Sequence, residues 1–221
     1  MSLKDLSTCE ISDVLIKLGI KNGGLLPDID LISHDADTRI CAPAYTVKMV
    51  FTSNANTLTL KDHFVDTVPK DHAIVIDAPL EAHNAVWGGL MSAGARARGA
   101  AGVIISGRCR DIQEHRSLGF PVFARGHSTV GQSPFTRPIA VNVALSLGGK
   151  DEEVTGFPAV TVEPGDWMVA DEDGVVCVPQ RMVPQVVEGA LKGREIDEKC
   201  MEDIKAGKGV QASFKKYRGK L

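Results

Sequence analysis

The sequence predicts an α/β fold organised around one central βαβ unit, and three adjacent stretches carry that expectation. Ala73-Ile-Val-Ile-Asp77 is a short apolar run ending in an acid, the pattern of a buried strand. Gly88-Gly89 opens an alanine-rich segment, Leu90 to Arg98, and Gly99 closes it. Glycine at both ends suits a tight turn and a helix C-cap. Gly102-Val-Ile-Ile-Ser106 is a second buried strand. Strand, helix and strand in succession put the two strands parallel and adjacent.

The remaining elements follow in chain order. Ser7-Thr8 precedes apolar positions Ile11, Val14, Leu15 and Leu18, and Gly19 follows. That is a helix with a hydroxyl N-cap and a glycine stop. Asn22-Gly-Gly and Pro27-Asp28 mark a loop. Arg39 to Phe51 has strand character in its second half, and Asp62 to Val68 is a short amphipathic piece stopped by Pro69. After the central unit a short helix runs from near Asp111 to Gly119, and Phe120 to Ala124 is a buried strand. Ser133 to Pro138 is a loop. The pattern then turns to β over Ile139–Leu147, Val160–Val162, Trp167–Ala170 and Val175–Val178, with hairpin chemistry at Asp171-Glu-Asp-Gly174. Residues 182–206 read as one long C-terminal helix, with Val183, Val186, Val187, Ala190, Leu191, Ile196, Cys200 and Ile204 on its apolar face. A mobile basic tail, 208–221, follows. With no repeat, low-complexity tract or linker, residues 1–221 are expected to form one domain.

Composition excludes several classes. The 221 residues are 43% hydrophobic, enough for a sizeable core. A net charge of −3 shows neither a nucleic-acid footprint nor a membrane-surface bias. Met1-Ser-Leu-Lys-Asp5 lacks the apolar region of a signal peptide, and no run is long enough to span a membrane. Five scattered cysteines without a CxxC pair fit a reducing compartment, so a soluble cytoplasmic protein is expected. The six histidines, His34, His63, His72, His83, His115 and His127, show no HxH or HExxH spacing, which argues against zinc. No GxGxxG follows a strand, so a methyltransferase site is not supported.

In parallel sheets ligands bind beyond the carboxyl ends of the strands. Two segments are expected there. The turn Gly88, Gly89, Leu90, Met91 offers backbone N–H groups and a positive helix end to an anion. Gly107 to Glu114 offers a fixed cation, Arg110, beside two carboxylates, Asp111 and Glu114. The plainer alternatives are a surface ion pair for Arg110–Asp111 and a solvated helix face shared by Glu114, His115 and Arg116. Cys109, between two arginines, reads as a small buried residue rather than a reactive thiol. His127 reads as a loop or interface residue. Asp171 and Asp173 read as hairpin residues rather than a metal pair.

Gly89, twenty intervening residues, Arg110-Asp111, two more and Glu114 resemble the signature of the RraA-like class II aldolases. These are the 4-hydroxy-4-methyl-2-oxoglutarate / 4-carboxy-4-hydroxy-2-oxoadipate aldolases. Three flanking blocks agree: Ala95-x-x-x-Gly99-x-x-Gly102-Val-Ile-Ile, Leu118 to Gly126, and Pro164 to Val176. The resemblance spans most of the chain, from about Ser7 into the C-terminal helix. It implies a three-layer β/β/α sandwich of the swivelling type, assembled as a homotrimer or a hexamer. It also implies an oxo-acid substrate held by the glycine turn and Arg110, and a divalent metal, Mg²⁺ or Mn²⁺, on Asp111. In the resembling enzymes a neighbouring subunit's C-terminal region adds an acid; Glu195, Glu198 and Glu202 are the candidates here. One departure stands out, since many members carry an acid where this chain has Gly89.

Retro-aldol cleavage of a 4-hydroxy-2-oxo acid leaves pyruvate enolate. Without a Schiff-base lysine, that enolate needs a divalent metal and a fixed cation. Magnesium keeps several waters, so Asp111 alone is an adequate protein ligand, and Glu114 can order those waters. Oxaloacetate decarboxylation passes through the same enolate. The rival expectation is a non-enzymatic regulator resembling the RraA inhibitor of ribonuclease E. That relative lacks the second acid of the motif, and Glu114 is present here.

Overall fold

The computed structural model describes residues 2–33, 38–55, 58–149 and 152–219. His34 and the last two residues of the expected tail lie outside them. The helices are α1 (Thr8–Lys17), α2 (Gly89–Ala97), α3 (Ile112–Leu118), α4 (Glu152–Thr155), α5 (Val183–Lys205) and α6 (Val210–Tyr217). The strands are β1 (Asp30–Leu31), β2 (Ile40–Phe51), β3 (Ala73–Asp77), β4 (Ala85–Trp87), β5 (Gly102–Cys109), β6 (Val122–His127), β7 (Thr136–Val141), β8 (Leu145–Leu147), β9 (Val160–Val162), β10 (Trp167–Asp171) and β11 (Gly174–Val178).

The central unit forms as the apolar runs dictate. β3 and β5 are parallel neighbours in register from Ala73↔Gly102 to Asp77↔Ser106. β2 and β6 extend the parallel set on either side. The large sheet runs β1-β6-β5-β3-β2-β10-β11, with β4 also on β5 and β7 also on β2. Side chains alternate across it. Ile74, Ile76, Val103 and Ile105 face a core shared with Ala95 of α2 and with Phe64, Trp87 and Phe120. Val75, Ile104 and Phe123 face the opposite way, onto Leu145, Leu147, Val160 and Val162 of the separate β8–β9 ribbon. Helix, large sheet and small sheet therefore stack as α, β and β layers, because each face of a two-sided apolar sheet needs its own cover. A third core packs α1 and α5 on Val169, Val176 and Val178 of the β10–β11 hairpin.

The hairpin forms with Asp171 opposite Gly174. Asp171 accepts the backbone N–H (2.9 Å) and hydroxyl (2.6 Å) of Thr8, tying the hairpin to the start of α1. Ser7 and Glu10 complete a reciprocal capping box there.

Five local expectations change. β2 is strand throughout, because antiparallel β10 covers its first half. The amphipathic piece at 62–68 makes turns, with Phe64, Val65 and Val68 pushed into the core. A short extra strand, β4, interrupts the βαβ connection and pairs with the far end of β5, so 107–109 are strand rather than loop. β7 begins within the expected loop, at Thr136. The basic tail is helix α6 through Tyr217: Lys208 and Lys216 bond Asp203 at 2.6 and 3.1 Å, and Arg218 bonds Asp197 while lying over the Phe214 ring. Acids on α5 neutralise the charge that suggested mobility.

Candidate active site

The predicted segments meet where β4 and β5 end. The Arg110 N–H bonds the Trp87 carbonyl at 2.9 Å, which sets the start of α3 beside the start of α2. Asp111 follows with φ 62° and ψ 43°, a left-handed backbone that is uncommon for a residue with a side chain. That turn sends its carboxylate away from its own helix. Asp111 Oδ2 instead accepts the Gly89 N–H at 3.0 Å, at the N-terminus of α2. A side chain on either glycine would end the arrangement. A Cβ on Gly88 would lie 2.6 Å from Asp111 Oδ2, and one on Gly89 would lie 1.6 Å from Glu114 Oε2. The glycine pair thus makes room for two carboxylates from α3. The departure from the family's acid at position 89 has a physical counterpart: Glu114 occupies the space such an acid would fill.

A cavity of about 460 Å³ opens over this junction, lined by Gly88, Leu90, Met91, Arg110, Asp111 and Glu114, with Ala85, Val86, Trp87 and Gln132 completing its wall. Gly89 borders an adjoining cleft that also reaches Asp111 and Glu114. All the predicted site residues of the chain therefore come together. The ion-pair alternative also holds: Arg110 Nε lies 3.5 Å from Asp111 Oδ2, with the two side chains 47% and 36% exposed. Pairing and site membership coexist, because both groups still face the cavity.

The glycine turn is a smaller anion cradle than its sequence suggests. Gly89 already gives its N–H to Asp111, and Met91 gives its N–H to the Gly88 carbonyl.

Two contributors lay outside the sequence reading. The segment after β6 folds back, with Ser128 N–H on the Cys109 carbonyl (2.9 Å) and Ala85 N–H on the Val130 carbonyl (2.7 Å). It brings Gln132 to the cavity and Gly131 against the Arg110 guanidinium; a Cβ there would lie 2.7 Å from Nη1. A loop of ordinary composition carries no local signal for this. His115, which the plainer alternative put on a solvated face, is fully buried. Its Nδ1 lies 2.9 Å from Ser92 Oγ, and burial holds its pKa below the usual value.

The weaker candidates fall away from the site. Cys109 is buried and its thiol is pushed up to about 11 by that burial, so it is not a ready thiolate. His127 is exposed at the end of β6 and does not line the cavity. Glu195, Glu198 and Glu202 are exposed on α5 and do not line this chain's own cavity.

The donors facing the cavity suit a hard cation. They are carboxylate oxygens from Asp111 and Glu114, with no thiolate or free imidazole among them. Among the described residues no cluster of three His, Cys, Asp or Glu side chains forms. A cation that retains most of its water, such as Mg²⁺ or Mn²⁺, fits that sparse set better than zinc does.

A mixed α/β sheet with an arginine and two carboxylates at a helix N-terminus defines the class, and sequence comparison agrees. The chain belongs to the RraA-like (Aldolase/RraA) family, whose model matches residues 8–177. Among individual relatives, protein DlpA of Legionella pneumophila is 29% identical over 212 residues, 96% of this chain and 32% of that protein. A Halalkalibacterium halodurans protein is 34% identical over 160 residues, 72% of this chain and 69% of its own. Its name, given provisionally, is 4-hydroxy-4-methyl-2-oxoglutarate aldolase. An uncharacterised Methanocaldococcus jannaschii protein is 35% identical over 127 residues, 58% of this chain and 56% of its own. The chain thus spans about a third of the first relative and just over half of the last. Among solved structures, an uncharacterised protein of Pseudomonas syringae pv. tomato superposes with a TM-score of 0.82 at 30% identity, covering 97% of this chain and 91% of that one. RraAS2 of Streptomyces coelicolor, described as an unusual member of the RNase ES inhibitor RraA family, superposes at 0.76 and 25% identity, covering 89% and 92%. No helix among the described residues is long and apolar enough to cross a membrane.

Proposed function

We propose that this chain is a divalent-metal-dependent lyase that cleaves 4-hydroxy-2-oxo acids of the 4-hydroxy-4-methyl-2-oxoglutarate type to pyruvate, and that it decarboxylates oxaloacetate in the same site. The observation that carries the reading is the convergence of Arg110, Asp111 and Glu114 on the N-terminus of α2 in one cavity. The aldolase names of relatives support it. Breaking the bond between carbons 3 and 4 turns the 4-hydroxyl into a carbonyl, frees its proton and leaves the electron pair as pyruvate enolate. With oxaloacetate the same bond releases carbon dioxide. Arg110 can hold the substrate's 2-oxo group and oppose the charge growing on that oxygen. The first turn of α2 favours the substrate carboxylate. Glu114 can accept the hydroxyl proton through a water. Asp111 would hold Mg²⁺ or Mn²⁺, with Glu114 ordering the metal's waters; when bound, the metal supplies Lewis-acid polarisation of the same oxygen. Leu90, 88% exposed at the cavity's lip, is the apolar edge where a second subunit would complete the wall. The reading therefore includes a trimer or hexamer, with an acid of α5 from a neighbour.

The test is pyruvate release from oxaloacetate and from 4-hydroxy-4-methyl-2-oxoglutarate, with Mg²⁺, Mn²⁺ or chelator. Wild type is expected to need metal, and Asp111→Asn to be inactive with an unchanged fold. Full turnover by that variant, or in excess chelator, refutes the reading. Light scattering should give three or six copies of the chain; an active monomer removes the assembly from it. A second reading, a regulator that binds another protein, draws on the likeness to RraAS2. It gains if neither substrate is turned over with any metal.

A further inference from the structure

Beneath the cavity floor three buried side chains form one hydrogen-bonded chain. Trp87 Nε1 donates to Ser92 Oγ at 2.8 Å, and Ser92 Oγ lies 2.9 Å from His115 Nδ1. All three residues are at most 2% exposed. Indole can only donate, so the serine oxygen accepts from Trp87 and keeps a proton that it can give to His115 Nδ1. With the serine hydroxyl donating to Nδ1, the imidazole carries its own proton on Nε2, and burial, which lowers the ring's pKa, favours a neutral ring. Nε2 is itself buried, without a hydrogen bond of good geometry. The Arg110 backbone and the Asp111 and Glu114 carboxylates act on the ring against the effect of burial.

Each member of the chain is also tied through its backbone to a residue of the site. The Trp87 carbonyl holds the Arg110 N–H at 2.9 Å; Ser92 N–H bonds the Gly88 carbonyl at 3.1 Å; His115 N–H bonds the Asp111 carbonyl at 3.3 Å. A left-handed aspartate persists only where its surroundings over-determine it. We propose that the Trp87–Ser92–His115 chain is the positioning element of this site, locking the left-handed Asp111 and the Arg110–Asp111 peptide against the first turn of α2. The geometric part stands alone, while its consequence for ligands rests on the lyase reading. An ordinary core residue at position 115 would need only an apolar shape. A histidine whose one nitrogen is satisfied from α2 and whose other is buried and unpaired does more than fill space.

The experiment compares wild type with His115→Leu, His115→Asn and Ser92→Ala. Leucine fills the volume without hydrogen bonds. Asparagine keeps an acceptor, Oδ1, where Nδ1 stands, and so can restore the bond to Ser92. The first readout is amide hydrogen exchange, which needs no ligand. Amides of Gly89, Arg110 and Glu114 report on the junction, and amides of β3 report on the global fold. We expect His115→Leu and Ser92→Ala to exchange at least about tenfold faster at the junction only, with His115→Asn close to wild type. The second readout is calorimetric binding of Mn²⁺ and of oxalate, a planar analogue of pyruvate enolate. We expect about tenfold weaker binding in the same two variants and recovery in His115→Asn. Unchanged junction exchange in both His115→Leu and Ser92→Ala overturns the proposal. If leucine at 115 prevents folding, Ser92→Ala decides alone. Wild type that binds neither Mn²⁺ nor oxalate overturns the lyase reading instead, and the exchange data still judge the positioning.

Discussion

Gly131→Ala isolates the placement of Arg110 from everything else the protein needs. Gly131 does not occupy the left-handed region, so alanine suits its backbone. The three atoms nearest an added Cβ all belong to the guanidinium, 2.7 Å to Nη1, 3.2 Å to Cζ and 3.6 Å to Nη2. These are the far end of a flexible and half-exposed side chain, so Arg110 moves and the fold does not. Replacing glycine at a compatible position restricts the unfolded chain and stabilises by about 0.4–1 kcal/mol. For a protein of this size that raises Tm by about 1–4 °C. A displacement near 1 Å at a group holding the reacting oxygen lowers turnover about a hundredfold, or ~2.7 kcal/mol of barrier. Arg110→Lys should match that loss, because lysine keeps the charge but not the planar fork. The assay is metal-saturated pyruvate release from oxaloacetate, alongside thermal melts of both variants. A stable Gly131→Ala protein with wild-type kcat refutes the reasoning, since Arg110 would then act without a defined position.

Glu114→Gln should bind Mn²⁺ more weakly and lose up to about a hundredfold in kcat, with unchanged oligomeric state; general acid–base groups contribute ~10²–10⁴-fold, and one acting through water belongs at the low end. Superimposed curves of rate against metal concentration would make Glu114 a bystander. Glu10 gives a prediction about acid stability. The Arg194 guanidinium, 2.6 Å from its carboxylate, holds the Glu10 pKa at about 2 against an ordinary 4.5. A depressed carboxylate pKa contributes stability above about pH 4.5 that is lost as pH falls towards 2. Arg194→Met should therefore flatten the dependence of the urea midpoint on pH across that window, and an unchanged slope rejects the pair's role.

Much of the fold was legible because it is written in local periodicity. The apolar runs at 73–77 and 102–106, the glycine-bounded helix between them and the Asp171–Gly174 hairpin need only neighbours in sequence to be recognised. Arg110, Asp111 and Glu114 were legible for a related reason, since the carboxyl end of a parallel strand is a predictable place. Other features depended on residues far apart in the chain. The first half of β2 is strand because β10 pairs with it, more than a hundred residues later. The tail is helix α6 because Asp197 and Asp203 offer it partners. Gln132 reaches the cavity, and Gly131 the Arg110 guanidinium, only because the segment after β6 turns back over β4 and β5. His115 follows Glu114 directly, yet the two face opposite ways, one into the cleft and one onto Ser92. Sequence alone named the groups of the candidate site. Their separation, their exposure and the left-handed turn that aims Asp111 at α2 came from long-range packing, which no local pattern encodes.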